Sequence, residues 1–211
     1  MNDDCAAVRK LLQSARFDLS TPELRDLPAD VGREVAFAGR SNSGKSSAIN
    51  VLCNQRNLAR TSRTPGRTQH FVVFALDDER RLVDLPGFGY AKVAKTVRAH
   101  WDRVLPQYLE RRRSLAGLVL LMDIRHPVKP QDEILIAWCA AAGVPLHILL
   151  NKADKLSRGA ALDQRRLVAR YLAGHGGPNS SVQLFSALRR DGLDEACAVL
   201  ANWLNEDGCV D

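Results

Sequence analysis

The chain has 211 residues, of which 45% are hydrophobic and 26% charged, with a formal charge of +6; this profile fits one soluble globular domain and excludes a disordered or fibrous chain. No apolar run reaches the ~20 residues of a membrane span, since the longest, LAGLVLLM at 115–122, stops at Asp123. The start MNDDCAAVRK puts Asp3 and Asp4 where a secretory leader carries basic residues, and five dispersed cysteines make no CxxC or Cys/His ligand spacing, so a cytoplasmic protein with reduced thiols is expected.

Taken in chain order, residues 1–30 read as an amphipathic helix (Val8, Leu11, Leu12, Ala15) and a lead-in containing Pro22 and Pro28. Short apolar runs rich in β-branched residues follow at 35–39, 70–76, 81–85, 115–123, 145–151 and 182–187. Most are continuously apolar, as strands covered on both faces are. Helical patterns separate them around 45–55, 95–112, 130–142, 160–173 and 192–205, the last with Leu193, Ala196, Cys197, Leu200 and Leu204 on one stripe. This alternation predicts a three-layer α/β domain with a six-stranded, mainly parallel sheet and helices on both faces. Asp77 to Arg80 is too short for a crossover, so the runs at 70–76 and 81–85 form a hairpin, and one edge strand is antiparallel. Residues 31–205 are expected to be the working domain, with 1–30 packed on it and 206–211 a short tail.

GRSNSGKS, residues 39–46, lies between a predicted strand and a predicted helix. Gly39, Gly44, Lys45 and Ser46 fit GxxxxGK(S/T), a loop whose bare backbone lets successive N–H groups approach a phosphate chain at a helix N-terminus. Lys45 would reach the β- and γ-phosphates and the Ser46 hydroxyl would bind Mg²⁺. Asp84 ends a strand in DLPG, where its carboxylate can hold Mg²⁺ through water, and the Gly87 N–H can meet the γ-phosphate. After the run at 145–151, Asn151-Lys152-Ala153-Asp154 places a carboxylate that accepts from guanine N1–H and N2–H₂, a donor pair adenine lacks. Asn151 would brace the loop, the Lys152 stem would cover the base, and Ser186-Ala187 would offer an N–H to guanine O6. Thr61, Thr64 and Thr68 compete to be a second Mg²⁺ ligand that engages only when a γ-phosphate is present, with Thr68 favoured by its position before the next strand.

Between Arg40 and Arg113 there are 15 Lys/Arg against 6 Asp/Glu, a local +9, which leaves −3 elsewhere. Such asymmetry points to a polyanionic partner such as nucleic acid. His147, inside PLHILL, reads as a satisfied core or rim histidine, and Arg111, Arg112 and Arg113 as cations complementing a helix C-terminus.

GRSNSGKSS, TPGRTQ, DLPGFGYA, NKADKL and FSA, in that order over roughly residues 17–205, resemble the translation-factor-related GTPases, and within them the EngB (YihA/YsxC) ribosome-biogenesis GTPases. The resemblance implies a Ras-like P-loop fold, GTP and Mg²⁺ binding, and a role in large ribosomal subunit assembly with a link to bacterial cell division. It implies Ser46 and Thr68 as Mg²⁺ ligands, Gly66, Arg67, Thr68, Gln69 and His70 as the switch segment, and Thr64 only as the alternative. The implied nucleotide contacts are Gly39, Arg40, Ser41, Asn42, Ser43, Gly44, Lys45, Ser46 and Ser47, then Asp84, Leu85, Pro86 and Gly87, then Asn151, Lys152, Ala153 and Asp154, and finally Phe185, Ser186 and Ala187. Lys45, Asn42, Thr68 and Gly87 form the implied catalytic set. The family often has Thr where this chain has Asn151 and Tyr where it has Phe88.

Ras-like enzymes place a glutamine after the DxxG glycine, whereas Phe88 cannot orient a water, so turnover is expected at or below the ~10⁻⁴ s⁻¹ of unassisted GTPases. Asn42 stands where related GTPases hold potassium against the phosphates, so K⁺-assisted hydrolysis is expected, accelerated further by the ribosomal partner. Arg56, Arg60, Arg63 and Arg67, with Lys92, Lys95 and Arg98, would form a positive surface for ribosomal RNA when GTP orders the switch. The partners expected are thus GTP or GDP and a large-subunit precursor, with no membrane and a monomeric chain. The alternatives are a GTPase acting on another RNA or protein and, against NKAD, a small P-loop kinase.

Overall fold

The computed structural model describes residues 3–59, 70–87 and 95–205. Its elements are α1 (Asp3–Gln13), β1 (Arg16–Thr21), β2 (Arg33–Gly39), α2 (Lys45–Leu52), β3 (Phe71–Ala75), β4 (Arg80–Asp84), α3 (Lys95–Arg111), β5 (Leu115–Asp123), α4 (Pro130–Ala142), β6 (Leu146–Asn151), α5 (Arg158–His175), β7 (Ser180–Leu184) and α6 (Leu193–Leu204), with single 3₁₀ turns at Leu24–Asp26 and Ala153–Lys155. One sheet runs in the order β1-β3-β4-β2-β5-β6-β7. The four central and right-hand pairings, β4·β2, β2·β5, β5·β6 and β6·β7, are parallel.

The three-layer α/β fold expected from the sequence is present, but with seven strands instead of six. β1 pairs antiparallel with β3, which pairs antiparallel with β4. The reversed strand is therefore internal and β1 is the edge. RFDLST was legible only as a lead-in because an edge strand buries little: Phe17 is 60% exposed, and Thr21 is the one buried position of β1. The β3–β4 turn is set by Asp77, whose carboxylate accepts from the Glu79 and Arg80 N–H groups at 3.0 and 2.7 Å and from the Arg80 guanidinium.

Alternation along the strands divides the core. Leu118, Leu120 and Met122 of β5 face α3, α4 and α5 through Tyr108, Leu135, Ile136, Val168 and Leu172. Val119 and Leu121 face α1, α2 and α6 through Leu12, Ile49, Leu200 and Leu204. Each such fully buried side chain contributes roughly 1.5–3 kcal/mol. Helix ends follow local chemistry. α4 opens with Pro130 after Lys129, whose N–H donates to the Asp132 carboxylate at 3.0 Å, and closes at Gly143 with φ 67°. Ser157 caps α5 by accepting from the Ala160 N–H.

At the end of the sheet remote from residues 39–46, Glu34 is fully buried and accepts from the Tyr108 hydroxyl at 2.8 Å and from both arms of Arg112 at 3.0 Å. Arg112 therefore does more than complement the C-terminus of α3: it neutralises a buried carboxylate on β2. Burial raises the Tyr108 phenol, and the neighbouring Glu34 carboxylate adds to that. His147 is a satisfied core histidine, with Ser181 Oγ and Gln183 Oε1 each 2.8 Å from its ring nitrogens. Among the described residues Cys53 and Cys139 are free and buried, and Cys197 is buried. No described helix is long and apolar enough to cross a membrane.

Candidate nucleotide site

β2, β4, β5 and β6 are parallel and end together, so Gly39, Asp84, Asp123 and Asn151 share one edge of the sheet, where the fold type leaves a crevice. From Gly39 the chain turns through residues 40–44 into α2. Asn42 (φ 62°) and Gly44 (φ 91°) are both left-handed, with Ser43 between them. Asparagine tolerates that conformation, and at Gly44 a Cβ would lie 2.2 Å from Asn151 Nδ2. Left-handed turns of this kind gather backbone N–H groups into an anion-binding concavity, and the N-terminus of α2 adds its positive end. Inside the loop the Ser43 hydroxyl is buried without a hydrogen-bond partner among the described residues.

The Lys45 ammonium, from the first position of α2, donates to the Asp84 carboxylate and to Leu85 O at 2.7 Å. Both charged groups are buried. Burial raises the Asp84 carboxyl, and the Lys45 charge opposes that rise. Ser46 follows on the same turn of α2, and Leu85, Pro86 and half-buried Gly87 lead away from Asp84. A hydroxyl and a carboxylate are hard oxygen donors of the kind Mg²⁺ takes, so the residues present fit that ion.

Asn151 joins the two halves of the site. Its Nδ2 donates to Ser43 O at 2.8 Å, while its Oδ1 accepts from Lys152 N at 2.8 Å and Ala187 N at 3.1 Å. One carboxamide thus spans the phosphate loop, the NKAD turn and the FSA turn. The Asp154 carboxylate accepts from Ser186 Oγ at 2.6 Å, and Ala153 N donates to Phe185 O at 3.1 Å. The Ser186 hydrogen bond holds Asp154 below the usual carboxylate range, and Lys155 assists. Asp154 is thereby kept ionised and oriented, as an acceptor of two guanine donors must be.

Lys152 is placed by a residue to which the sequence reading gave no functional role. Its ammonium donates to Asn42 O at 2.6 Å and to Asp123 Oδ2 at 2.9 Å. Burial works to raise the Asp123 carboxyl, but hydrogen bonds from Arg125 and Lys152 outweigh it and hold the group well below the ordinary range. The available signal was an apolar strand ending in a carboxylate, the pattern that drew attention to Asp84. Arg40 departs in another way. Its side chain turns from the loop toward α4, donating to the buried Asp132 at 3.1 Å and to His126 O at 2.8 Å, so it anchors the loop from outside. His70 immediately precedes β3, and its Nδ1 is 3.1 Å from Ser20 Oγ. Ser41 and Ser47 are half-buried beside the loop and the first turn of α2. Gly66, Arg67, Thr68 and Gln69, the alternatives Thr61 and Thr64, and Phe88 lie outside the described residues, as do Arg60, Arg63 and Lys92.

Residues 34–152 match the family described as 50S ribosome-binding GTPase. The Probable GTP-binding protein EngB of Methylococcus capsulatus (strain Bath) is 55% identical over 192 residues, covering 91% of each chain. Among solved structures, that of a probable GTP-binding protein engB has a TM-score of 0.63 at 20% identity, over 80% of this chain and 97% of that one. Era from Aquifex aeolicus, bound to GDP and aluminium fluoride, has a TM-score of 0.64 at 23% identity, over 82% of this chain and 57% of the other. At those identities the structures bear on the fold, whereas the first relative and the family match bear on descent. The chain belongs to the EngB family of P-loop GTPases.

Proposed function

We propose that this chain is a GTP-controlled switch that binds precursors of the large ribosomal subunit, hydrolyses GTP slowly, and uses hydrolysis to time its release. The observation that carries the nucleotide half of this reading is the Asn151 carboxamide, which fixes the loop of Lys45 relative to the turns of Asp154 and Ala187. Triphosphate and purine are then read by one frame. Residues 31–205 act as the GTP-binding unit, and α1 packs on it through Val8 and Leu12. The ribosomal half draws on the family description and on the basic character of residues 40–113. Era, at 22% identity, has a structure in complex with nucleotides 1506–1542 of 16S ribosomal RNA.

Ser46 and Thr68 would hold Mg²⁺ directly and Asp84 through water, supplying charge neutralisation between the β- and γ-phosphates. Lys45 then exchanges its bond to Asp84 for the phosphates, while the Gly87 N–H orients the γ-phosphate. With Phe88 after that glycine no side chain there orients the attacking water, so intrinsic turnover is slow, and Asn42 favours stimulation by K⁺. The protein works as a cytoplasmic monomer, with the link to cell division that the family resemblance implies.

Titration calorimetry with Mg²⁺ tests the nucleotide half: GDP and GTP give heat and ATP does not displace them, whereas effective competition by ATP sinks the guanine assignment. Sedimentation with large subunits tests the other half. Partition is greater with a non-hydrolysable GTP analogue than with GDP, and partition independent of nucleotide removes the switch. Equal turnover in KCl and NaCl removes the role given to K⁺.

A further inference from the structure

The basic character of the chain is not confined to residues 40–113. Residues 152–190 carry eight Lys/Arg and two Asp/Glu, a local +6 inside a remainder whose total is −3. The fold concentrates this charge. All four arginines of α5, Arg158, Arg165, Arg166 and Arg170, are exposed, whereas Arg190 turns away to donate to Asn54 Oδ1. Neighbouring α4 carries no Lys or Arg within the helix. We propose that the outer face of α5, with the groove between it and β7, docks RNA. This deepens the ribosomal reading above by naming the surface and the chemistry of its partner.

Helix stability does not account for these arginines. Arg158 occupies the first position of α5, whose first turn has no acidic residue, and a cation there opposes the helix dipole. Arg166 and Arg170 are like charges at i,i+4, an arrangement that destabilises a helix. Arg166 pairs with Asp163 at 3.0 Å in an exposed contact, and no ion pair is formed by Arg158, Arg165 or Arg170 among the described residues. An external polyanion would convert each of these costs into a favourable contact.

The surface also has a shape. A groove of about 610 Å³ beside α5 is lined by Arg165, Ala169, Leu172, Gly177, Ser181 and Val182. β7 is the last strand of the sheet, so its outer main-chain groups face this side without a neighbouring strand. From Arg158 to Arg170 the helix advances about 18 Å, the length of roughly five phosphates along one strand of a duplex. A membrane surface is disfavoured because Ala161, Val168 and Leu172, the apolar face of α5, are buried in the core and cannot enter lipid.

The test is fluorescence anisotropy of a labelled RNA hairpin and a labelled single strand against the full chain across a salt series. The variant Arg158→Ala/Arg165→Ala/Arg170→Ala is compared with a charge-matched control, Arg16→Ala/Arg25→Ala/Arg111→Ala. Expected is a loss of about tenfold or more in affinity for the α5 variant alone, with the slope of log K on log salt for the single strand reduced by about two. Equal losses in both variants, or none, overturn the proposal, as does a selective loss of binding to ribosomal proteins with RNA binding retained. Should the triple variant melt early, single Arg165→Glu carries the same comparison. GTP calorimetry on the same preparations separates the two readings: RNA docking through α5 without GTP binding sinks only the switch, and GTP binding with α5-independent RNA affinity sinks only this surface.

Discussion

Replacing Asn151 with alanine removes the carboxamide that spans the two halves of the site. Three hydrogen bonds disappear, those to Ser43 O, Lys152 N and Ala187 N, from a side chain on a residue that is 2% exposed. At about 0.5–1.5 kcal/mol net for each, the loss is about 2–4 kcal/mol. For a chain of this size that corresponds to a fall in Tm of roughly 6–12 °C. Nucleotide affinity falls separately, because the phosphate loop and the base-reading turns then move independently. A cost of about 1.4–2.8 kcal/mol raises Kd for GDP tenfold to a hundredfold. Thermal melting with and without saturating GDP reads both effects, since the upward shift caused by a ligand shrinks as its Kd rises. Asn151→Thr retains one hydroxyl able to donate or accept and falls between the parent and alanine. An alanine variant that melts within about 1 °C of the parent and keeps the full GDP-induced shift would refute the idea that this side chain couples the two halves.

Three further outcomes follow from particular contacts. Asp154→Asn exchanges an acceptor for a donor opposite guanine N2, so GTP binding weakens by about 2–4 kcal/mol while a xanthine nucleotide, with oxygen at that position, gains affinity; competition between the two measures the reversal, and unchanged preference contradicts the role of Asp154. Gly117→Ala drives a Cβ to 2.5 Å from the Trp203 ring, so unfolding in urea shows a loss of about 1–3 kcal/mol with GDP affinity intact. His147 is depressed below its ordinary value by burial, with Gln183 opposing. The unfolded chain therefore binds a proton that the folded chain refuses, so this contribution is complete above pH ~6.5 and declines as pH falls from there toward the folded pKa. His147→Gln flattens Tm against pH between about 7.5 and 5.5, and an unaltered profile excludes His147 as the cause.

What was legible in the sequence and what was not divides along a physical line. The central strands were plain because β5 and β6 are buried on both faces and read as uninterrupted apolar runs. β1 was missed because its pairing with β3 uses the backbone and leaves Phe17 exposed. In the site, GRSNSGKS and NKAD stand out because each gathers its polar residues within a few positions, and Asn151, for which a bracing role was expected, donates to Ser43 O. Arg40 and Asp123 could not be read in that way. Their partners Asp132 and Lys152 lie 92 and 29 residues away in the chain, and only the parallel packing of β2, β5 and β6 brings them into contact.

The same distinction separates residues 40–113, whose charge is plain along the sequence, from α5, whose charge is not. Charge summed along the sequence ranks long segments, and the acidic residues of α4, α6 and the N-terminus conceal eight cations between 152 and 190. Folding sorts charge by face instead. The hydrophobic period of α5 commits Ala161, Val168 and Leu172 to the core, which leaves Arg158, Arg165, Arg166 and Arg170 exposed along the rest of its surface. A partner responds to that local field, which decays over about 8–10 Å at physiological salt, and not to a total taken over the whole chain. The number of exposed cations within about one such length is therefore the quantity that decides where a polyanion docks, and Arg165, Arg166 and Arg170, within about 8 Å along the axis of α5, are a group the sequence total had hidden.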